Sequence, residues 1–383
     1  MGMGHIEVEL LIHEHAHKPI KGEVLAVGRQ HIAPNAEEVR DMLDRYGVKR
    51  RTTSFEVDTL NTHNHNGQET ILDSSLFQSF TDAKYYVADI SPYEGADFIF
   101  DVCGEVPEEL IGRFDFIIDG GSLDNVFDPL SMVRNMTKML KPGGRMFIYA
   151  WSNGFPSAYV KITPDWIMDY CLVNEFADAK VYASRCDMPF GDPELGGCVD
   201  LYHCRPTAET PHGEIAEASY VRVQGYGSTY CIAEKGENST SDRMAVQKHY
   251  RGENVEPYLT SAKRFASSEH PAFALPGQEL PDMPVISDQP TVVPVARFGT
   301  PREVTTEEMI IRRLDQIATG NHLIATQVEA GLGTLWNRVY QQGQEASKQI
   351  YDTGQSVKAL ERAIPEQAQK PAEPLRRRLF SRG

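Results

Sequence analysis

The sequence predicts an α/β protein, built on a doubly wound, mainly parallel sheet with an antiparallel edge and followed by a C-terminal helical extension. Over residues 1–250, short runs of β-forming residues alternate with amphipathic stretches, as in a parallel sheet covered by helices on both faces. The last strand-like runs of this region have no helix between them, which favours antiparallel pairing at one edge. Residues 304–364 keep an apolar 3–4 spacing, which is typical of helices.

The predicted strands are short apolar runs, and several end in glycine or an acid. Four of these are EVLAVG (23–28), KYYVADIS (84–91), ADFIFDV (96–102) and RFDFIIDGG (113–121), and RMFIYAW (145–151) follows them. The later strand-like runs are AKVYASR (179–185), CVDLYHC (198–204) and SYVRVQGYGSTYCIAEKG (219–236). Glycine at a strand end lets another backbone or a ligand come close, and ligands of open α/β sheets bind at the carboxyl ends of the strands.

The predicted helices have recognisable start and stop signals. Pro34 opens a stretch with acids in its first turn and Gly47 at its end, which is a helix signature. A second helix, DPLSMVRNMTKMLKPGG (128–144), stops at the helix-breaking Lys141–Gly144 turn. Two shorter patterns, LDSSLFQSF (72–80) and TPDWIMDYCLVNEF (163–176), also indicate helices.

Composition narrows the class of partner and the compartment. The chain has 383 residues and a formal net charge of -16. Because nucleic-acid affinity rests on basic residues that neutralise phosphates, we expect no nucleic-acid partner and favour a small-molecule or carbohydrate acceptor. The six cysteines are dispersed, with no CxxC pair, and the N-terminus does not read as a signal peptide. We therefore expect a cytoplasmic protein without a transmembrane segment.

Four regions are expected along the chain. Residues 1–250 form the main domain, with an insertion at 48–83, and residues 251–303 form a proline-rich linker or an extended segment on the domain surface. Residues 304–364 form helices that pair with another copy or a partner, as in a coiled coil; the alternative is a polar helical tail with no specific role. Residues 365–383 form a basic tail.

Three acids occupy comparable positions on successive predicted strands. Asp89, Asp101 and Asp119 each lie at or near a strand's carboxyl end, and parallel strands bring those ends to one edge of the sheet. An acid at the end of the second strand can accept hydrogen bonds from a ribose diol in nucleotide-binding sheets. With Gly28 beside them, these acids predict a nucleotide-type ligand at that edge.

Five motifs resemble the successive motifs of class I S-adenosylmethionine-dependent methyltransferases. They are VLAVG (24–28), VADIS (87–91), DFIFDV (97–102), FDFIIDGGSLDNVF (114–127) and LKPGGRMFIY (140–149). More narrowly, VGRQHI (27–32), DISPYEGADFIFDV (89–102) and DGGSLDNVFDP (119–129) resemble methyltransferases encoded in bacterial surface-polysaccharide gene clusters. The resemblance covers roughly residues 20–250. It implies a Rossmann-like fold, the cofactor S-adenosyl-L-methionine, and O-methylation of a sugar or polysaccharide-related acceptor.

The resemblance also implies roles for individual residues. The methionine part of the cofactor lies over the end of the first strand, the ribose and adenine lie beside the second and third, and the sulfonium and acceptor lie beside the fourth. In that order the implied cofactor-binding residues are Gly28 and Gln30; Asp89 and Ile90; Asp101 and Val102; and Asp119, Gly120 and Gly121.

The sequence departs from the family pattern in three ways. The first motif has one glycine followed by the bulky run Arg29–His31, and Asp89 comes about 60 residues after Gly28 instead of ~20. Where relatives often carry Glu-His, this chain has Asp124 and Asn125. The candidate general bases for an oxygen acceptor are His31 and Asp124. The alternative for each is a polar loop residue that only caps a helix or bonds the backbone.

No metal site is expected, because HEHAH (13–17) and HNH (63–65) lie in separate segments. Two rival functions stay open. One is a protein that kept the fold as a scaffold and lost the chemistry, and the other is a nicotinamide-dependent oxidoreductase. The enzyme hypothesis requires Asp89 and Asp119 to share one edge, and it requires an opening between them that Arg29 and its neighbours do not fill.

Overall fold

The computed structural model describes most of residues 2–299; the residues not described there are 53, 61–69, 154–157, 187–197, 207–225, 248–249, 253 and 281–291. The chain divides into two units, residues 1–302 and 303–383. The predicted helical region 304–364 and the basic tail 365–383 therefore lie outside the described residues, and both stay predictions.

Eleven strands form two sheets in the described part of the chain. The small sheet pairs β1 (Gly2–Met3) with β3 (His31–Ile32) in parallel. The large sheet has nine strands, which are β2 (Glu23–Val27), β4 (Lys84–Asp89), β5 (Phe98–Ile99), β6 (Phe114–Gly120), β7 (Leu140–Asn153), β8 (Asp178–Cys186), β9 (Val199–Cys204), β10 (Tyr226–Glu234) and β11 (Val292–Phe298).

Six α-helices accompany the sheets in the described residues, together with a short 3-10 helix at Glu108–Leu110. They are α1 (His5–His17), α2 (Ala36–Arg45), α3 (Asp73–Gln78), α4 (Pro129–Met139), α5 (Pro164–Val173) and α6 (Glu256–Ala266). Side-chain caps fix three helix starts: Asn35 forms a capping box on α2, and Asp128 and Thr163 accept backbone N–H groups at the starts of α4 and α5. Helix α1, whose buried face includes Glu7 and Glu14, was missing from the prediction.

The strand order in the large sheet is β11-β9-β8-β10-β7-β6-β2-β4-β5. Strands β5, β4, β2, β6 and β7 are parallel, whereas β10 is antiparallel to both β7 and β8. The predicted antiparallel edge is present in β9 and β11. Chain order did not predict that β10 would lie inside the sheet, between β7 and β8. The result is a mixed, Rossmann-like sheet.

Side chains alternate between two hydrophobic cores, one on each face of the large sheet. On β6, Ile117 belongs to the core beneath α4, α5 and α6, and Phe116 and Ile118 belong to the core beneath α1, α2 and α3. This alternation is what the pleat of a strand imposes. Both faces are therefore covered, which leaves the carboxyl ends of the parallel strands as the natural place for a ligand.

The segment 251–303 is more structured than the predicted linker. It contains helix α6, whose Tyr258, Ala262 and Phe265 are buried in the core with α5. It also contains β11, which pairs with β9. The prolines at 276–294 mask two apolar patterns, whose packing partners come together only in the folded protein.

The turn predicted at Lys141–Gly144 is part of strand β7. Leu140 pairs with Phe114 and Arg145 pairs with Phe116, so the residues between form a bulge at the amino end of the strand. No helix in the described part of the chain is both long and apolar enough to cross a membrane.

Candidate functional site

The first and second parallel strands bring Gly28 and Asp89 together despite the long insertion between them. Val27 pairs with Ala88 in the β2–β4 register, and the Gly28 N–H donates to the Ala88 carbonyl at 2.7 Å. Gly28 has a φ of 72°, a conformation that favours glycine. The insertion at 48–83, which contains α3, thus leaves the β2 and β4 strand ends adjacent.

Asp119 lies at the same edge, on the other side of β2. Ala26 pairs with Ile118, so Asp119 and Gly120 flank Val27 and Gly28. The strand order reverses between β2 and β6, which makes this point the switch where ligands of open α/β sheets bind. Asp89 and Asp119 therefore share one edge, as the enzyme hypothesis requires.

The β4–β5 half of this edge is open to solvent. Asp89 is half-buried and accepts the Ser91 N–H at 3.0 Å, while the next residue, Ile90, is 72% exposed. The Phe100 N–H donates to the Asp89 carbonyl at 3.0 Å, which brings the exposed Asp101 and the half-buried Val102 close to Asp89. A carboxylate beside an exposed apolar side chain can hold a ribose diol and the flat face of a base.

The β6 half of the edge is turned inward. The Asp119 side chain is fully buried, and its carboxylate accepts the backbone N–H groups of Ser122 at 2.6 Å and Leu123 at 3.1 Å. Burial raises the pKa of Asp119 to about 7. Asp119 therefore shapes the turn that contains Gly121, whose φ is 102°. The backbone of Gly120 and Gly121 is what this turn offers to the edge of the sheet.

The Gln30 side chain fills the space between the ends of β2 and β6. Its amide nitrogen donates to the carbonyls of Val27 at 3.0 Å and Gly28 at 2.8 Å. Its amide oxygen is buried, has no hydrogen-bond partner among the described residues, and would overlap a Cβ atom placed on Gly120. The carbonyl oxygen of Gly2 lies 3.4 Å from the same Cβ position. The chain itself thus fills the opening that the enzyme hypothesis requires, through Gln30, the neighbour of Arg29.

Arg29 has a different place from the one the sequence suggested. Its guanidinium forms a buried ion pair with Asp73 of α3 at 2.7 Å and donates to the carbonyls of Glu94 at 2.9 Å and Gly95 at 3.1 Å. Arg29 therefore ties the insertion to the loop after β4. Of the bulky run after Gly28, the residue that occupies the space beside Gly120 is Gln30.

The two candidate bases lie near this edge in different surroundings. His31 is half-buried in β3, where it pairs with Gly2. Asp124 is fully buried; its carboxylate accepts the Trp151 N–H at 2.6 Å and an Asn125 amide N–H at 3.1 Å. Burial raises the pKa of Asp124. Neither arrangement tests a catalytic role, so the roles of both residues stay predictions.

The sequence did not predict that Tyr149 lies beside the β6 turn, with Tyr230 and Glu7 next to it. The Tyr149 ring lies 3.4 Å from a Cβ placed on Gly121, and its ring centroid is 5.3 Å from that of Tyr230. Glu7 of α1 is buried beside Tyr230, and burial raises the pKa of Glu7 to about 7. The alternation in RMFIYAW puts residues 149 and 151 on one face, and this was the available signal for Tyr149.

The histidine-rich N-terminal motif is used in packing. His13 is buried on α1, with its ring centroid 5.1 Å from Phe273 and 5.8 Å from Tyr46. Within the part of the chain that the structure describes, no group of three or more His, Cys, Asp or Glu side chains is placed to hold a metal ion. The HNH motif (63–65) lies outside the described residues.

Gly120 and Gln30 form a coupled pair that mutation can test. We expect Gly120→Ala to lower the free energy of unfolding by about 1–3 kcal/mol, because the new methyl group must displace the Gln30 amide. In a Gln30→Ala background the same change should have a much smaller effect. Urea unfolding of the four proteins of this double-mutant cycle measures the coupling. An equal effect of Gly120→Ala in both backgrounds would contradict this packing.

Comparisons with known proteins give a weak structural likeness. No family model and no curated protein matches the chain. One similar solved structure is a Burkholderia thailandensis 1,6-didemethyltoxoflavin-N1-methyltransferase with bound S-adenosylhomocysteine (13% identity, 61% of this chain, 78% of that chain, TM-score 0.28). Another is the Haemonchus contortus phosphoethanolamine N-methyltransferase 2 with S-adenosyl-L-methionine (13%, 60%, 52%, 0.30). A third is a SAM-dependent methyltransferase from Archaeoglobus fulgidus (11%, 60%, 94%, 0.27).

These structural neighbours are S-adenosylmethionine-dependent methyltransferases. The chain spans about half of the Haemonchus protein's length and most of the Archaeoglobus protein's. At such identities and TM-scores the likeness does not assign a function. Function is inferred instead from the strand order and from the residues at the edge of the sheet.

One buried group at this edge suits the cofactor that the sequence resemblance implies, although the chain itself fills the space beside Gly120. The buried Gln30 oxygen is an acceptor with no donor among the described residues, and a buried unpaired acceptor favours a ligand that carries N–H groups or positive charge. The methionine part of S-adenosylmethionine carries both an ammonium group and a sulfonium. Because this oxygen is covered, a ligand reaches it only if the Gln30 side chain rotates away or the Gly2–Met3 segment withdraws.

Proposed function

We propose that the protein is an S-adenosylmethionine-dependent methyltransferase. The observation that carries the proposal is the edge itself: Gly28 lies between Asp89 and Gly120 at the point where the strand order reverses. A ligand-binding edge at such a switch point is the general expectation for open α/β sheets. The motif resemblance supplies the identity of the ligand.

In this proposal each part of the edge has one task. Asp89 accepts hydrogen bonds from the ribose hydroxyls, Ile90 covers the adenine, and Asp101 and Val102 border its far end. Gly28 and Gln30 receive the methionine part. When bound, the cofactor supplies a methyl group that is already electrophilic. The protein's share of the work is to orient the acceptor against it, which is an entropic contribution.

The acceptor half of the proposal is more specific. We propose that an oxygen of a sugar or sugar-containing molecule lies beside Gly120 and Gly121, and that His31 or Asp124 takes its proton. A base of this kind contributes roughly 10²–10⁴-fold to the rate. The sugar assignment depends on the sequence resemblance. The six free cysteines of the described residues suit a reducing compartment such as the cytoplasm.

Titration of the full-length protein with S-adenosylhomocysteine tests the cofactor. We expect micromolar binding by calorimetry, and we expect Asp89→Asn to weaken it about tenfold, because one ribose acceptor is lost. The matched control is Asp82→Asn, an exposed carboxylate just before the amino end of the same strand, which should bind like wild type. Binding of NADH instead of S-adenosylhomocysteine would favour an oxidoreductase.

A specific observation favours a second candidate, a scaffold that has lost the chemistry. Gln30 and the Gly2 carbonyl occupy the space beside Gly120, and the Asp119 carboxylate is committed to backbone N–H groups. In a scaffold these contacts are permanent. Absence of binding to S-adenosylmethionine, S-adenosylhomocysteine and NADH, in protein shown to be folded by its cooperative unfolding, would support this candidate and refute the enzyme.

A further inference from the structure

Two aromatic side chains stand out from the loops next to the β6 turn. Phe127 is 91% exposed and Tyr159 is 73% exposed, although they come from different loops. Their ring centroids are 6.4 Å apart, and the ring planes make an angle of 74°. Two large apolar rings held together in solvent are the kind of exposed patch that marks a binding site.

Asp124 fixes the position of both loops. Its backbone carbonyl accepts the N–H groups of Tyr159 at 2.8 Å and Val160 at 3.2 Å, and its carboxylate accepts the Trp151 N–H. The Asn125 amide donates to the Gly121 carbonyl at 2.7 Å. The residues that present the two rings are thus tied to the turn where the proposed acceptor lies.

A purely structural role does not explain Phe127. It immediately precedes Asp128, the N-cap of α4, where an apolar side chain often packs against the residue at the helix's fourth position, here Met132. Met132 is fully buried in the core beneath α4, whereas Phe127 remains exposed. The side chain therefore contributes little burial to the fold and is available to a ligand.

Charged groups of both signs lie near the pair: Lys161 is close to Asp124, and Arg134 is close to Asp128. Asp101 and Asp128, both exposed, lie close enough to Cys103 to raise the pKa of its thiol after the larger effect of burial. The two rings themselves carry no charge, so they do not attract an anionic ligand such as a phosphorylated sugar. The chemistry of the site suits a neutral molecule that offers a flat apolar ring face together with hydroxyl groups.

We propose that Phe127 and Tyr159 form the acceptor platform of the protein, which binds the apolar ring face of a neutral, hydroxyl-bearing acceptor and so determines its specificity. This inference rests on the proposed methyltransferase function. Aromatic side chains suit the task because they supply a large rigid surface with few rotatable bonds. The ring face belongs either to a sugar or to a phenol, and the experiment distinguishes these two sources.

The test is saturation-transfer NMR on the full-length protein with three probes: methyl β-glucopyranoside, catechol and glucose 6-phosphate. We expect wild type to bind at least one neutral probe and to gain no affinity from the phosphate group, because the two rings carry no charge. Phe127→Ala and Tyr159→Ala should each reduce neutral-probe binding about tenfold, which corresponds to about 1.4 kcal/mol. Phe127→Tyr and Tyr159→Phe should retain it. The control is Ile111→Ala, an exposed apolar residue before the amino end of β6, which should change nothing.

Three results would overturn the platform: no binding of either neutral probe to wild type, equal binding by wild type and both alanine variants, or loss of self-association in Phe127→Ala with unchanged probe binding, measured by sedimentation. The last would make the pair a contact between protein copies. S-adenosylhomocysteine titration of the same samples separates the two proposals. Cofactor binding with an inert aromatic pair refutes only the platform, whereas probe binding without cofactor binding refutes the methyltransferase and leaves the aromatic pair as a ligand site of another kind.

Discussion

Replacing Arg29 with alanine is expected to lower the free energy of unfolding by about 3–5 kcal/mol, because it leaves a buried carboxylate without its counter-charge. The Arg29 and Asp73 side chains are 7% and 0% exposed. Asp73 also accepts the Gln30 N–H at 3.0 Å and the Tyr85 hydroxyl at 3.1 Å, and these contacts do not neutralise its charge. Urea unfolding of wild type and variant measures the difference.

The control for this prediction is the exposed pair Arg50–Asp44, whose side chains are 36% and 56% exposed. Arg50→Ala should have an effect below about 1 kcal/mol. A double variant that replaces both members of the buried pair, Arg29→Met with Asp73→Leu, should recover part of the loss, since no buried charge remains. If Arg29→Ala were no more harmful than Arg50→Ala, the buried ion pair would not hold the insertion to the sheet.

Glu7→Gln is expected to stabilise the protein more at pH 8 than at pH 4.5. Burial raises the pKa of Glu7 from its ordinary value of 4.5 to about 7. Between these values the unfolded chain has lost its proton while the folded chain keeps it, so rising pH favours unfolding. The gap corresponds to roughly 3 kcal/mol. Glutamine cannot ionise, so the difference in unfolding free energy between variant and wild type should grow by about that amount.

Chemical denaturation at several pH values between 4.5 and 8 measures this difference. Glutamine keeps an oxygen that can accept the hydrogen bond at the start of α1, so the comparison isolates the charge. Glu37→Gln, on the exposed first turn of α2, is the matched control for replacing a carboxyl by an amide where the side chain is not buried. A Glu7→Gln difference independent of pH would show that this carboxyl titrates as it does in water.

Much of the fold could be predicted because its signals are local. The runs at 23–28, 84–91 and 113–121 are strands, and the capping residues and prolines place α2, α4 and α5 close to their predicted positions. Period-2 alternation and helix caps depend on neighbouring residues alone. Helix α1 escaped because its buried glutamates and histidines hide the apolar pattern that a surface helix shows.

The candidate site could be predicted only in part. Strand-end acids and glycines are visible in the sequence, and the register of β2 with its neighbours places Gly28, Asp89 and Asp119 at one edge. Which way a side chain points is another matter. Asp119 turns onto backbone N–H groups, and Gln30 fills the space beside Gly120, because each meets partners that are distant in sequence.

The sequence by itself determined where the chain alternates between strand and helix, and which residue types end each strand. Only the tertiary structure decided that β10 lies between β7 and β8, that α6 and β11 belong to the first unit, and that Arg29 pairs with Asp73. The physical reason is range. Strand and helix signals act between neighbours, whereas strand insertion and buried ion pairs depend on contacts between residues tens of positions apart.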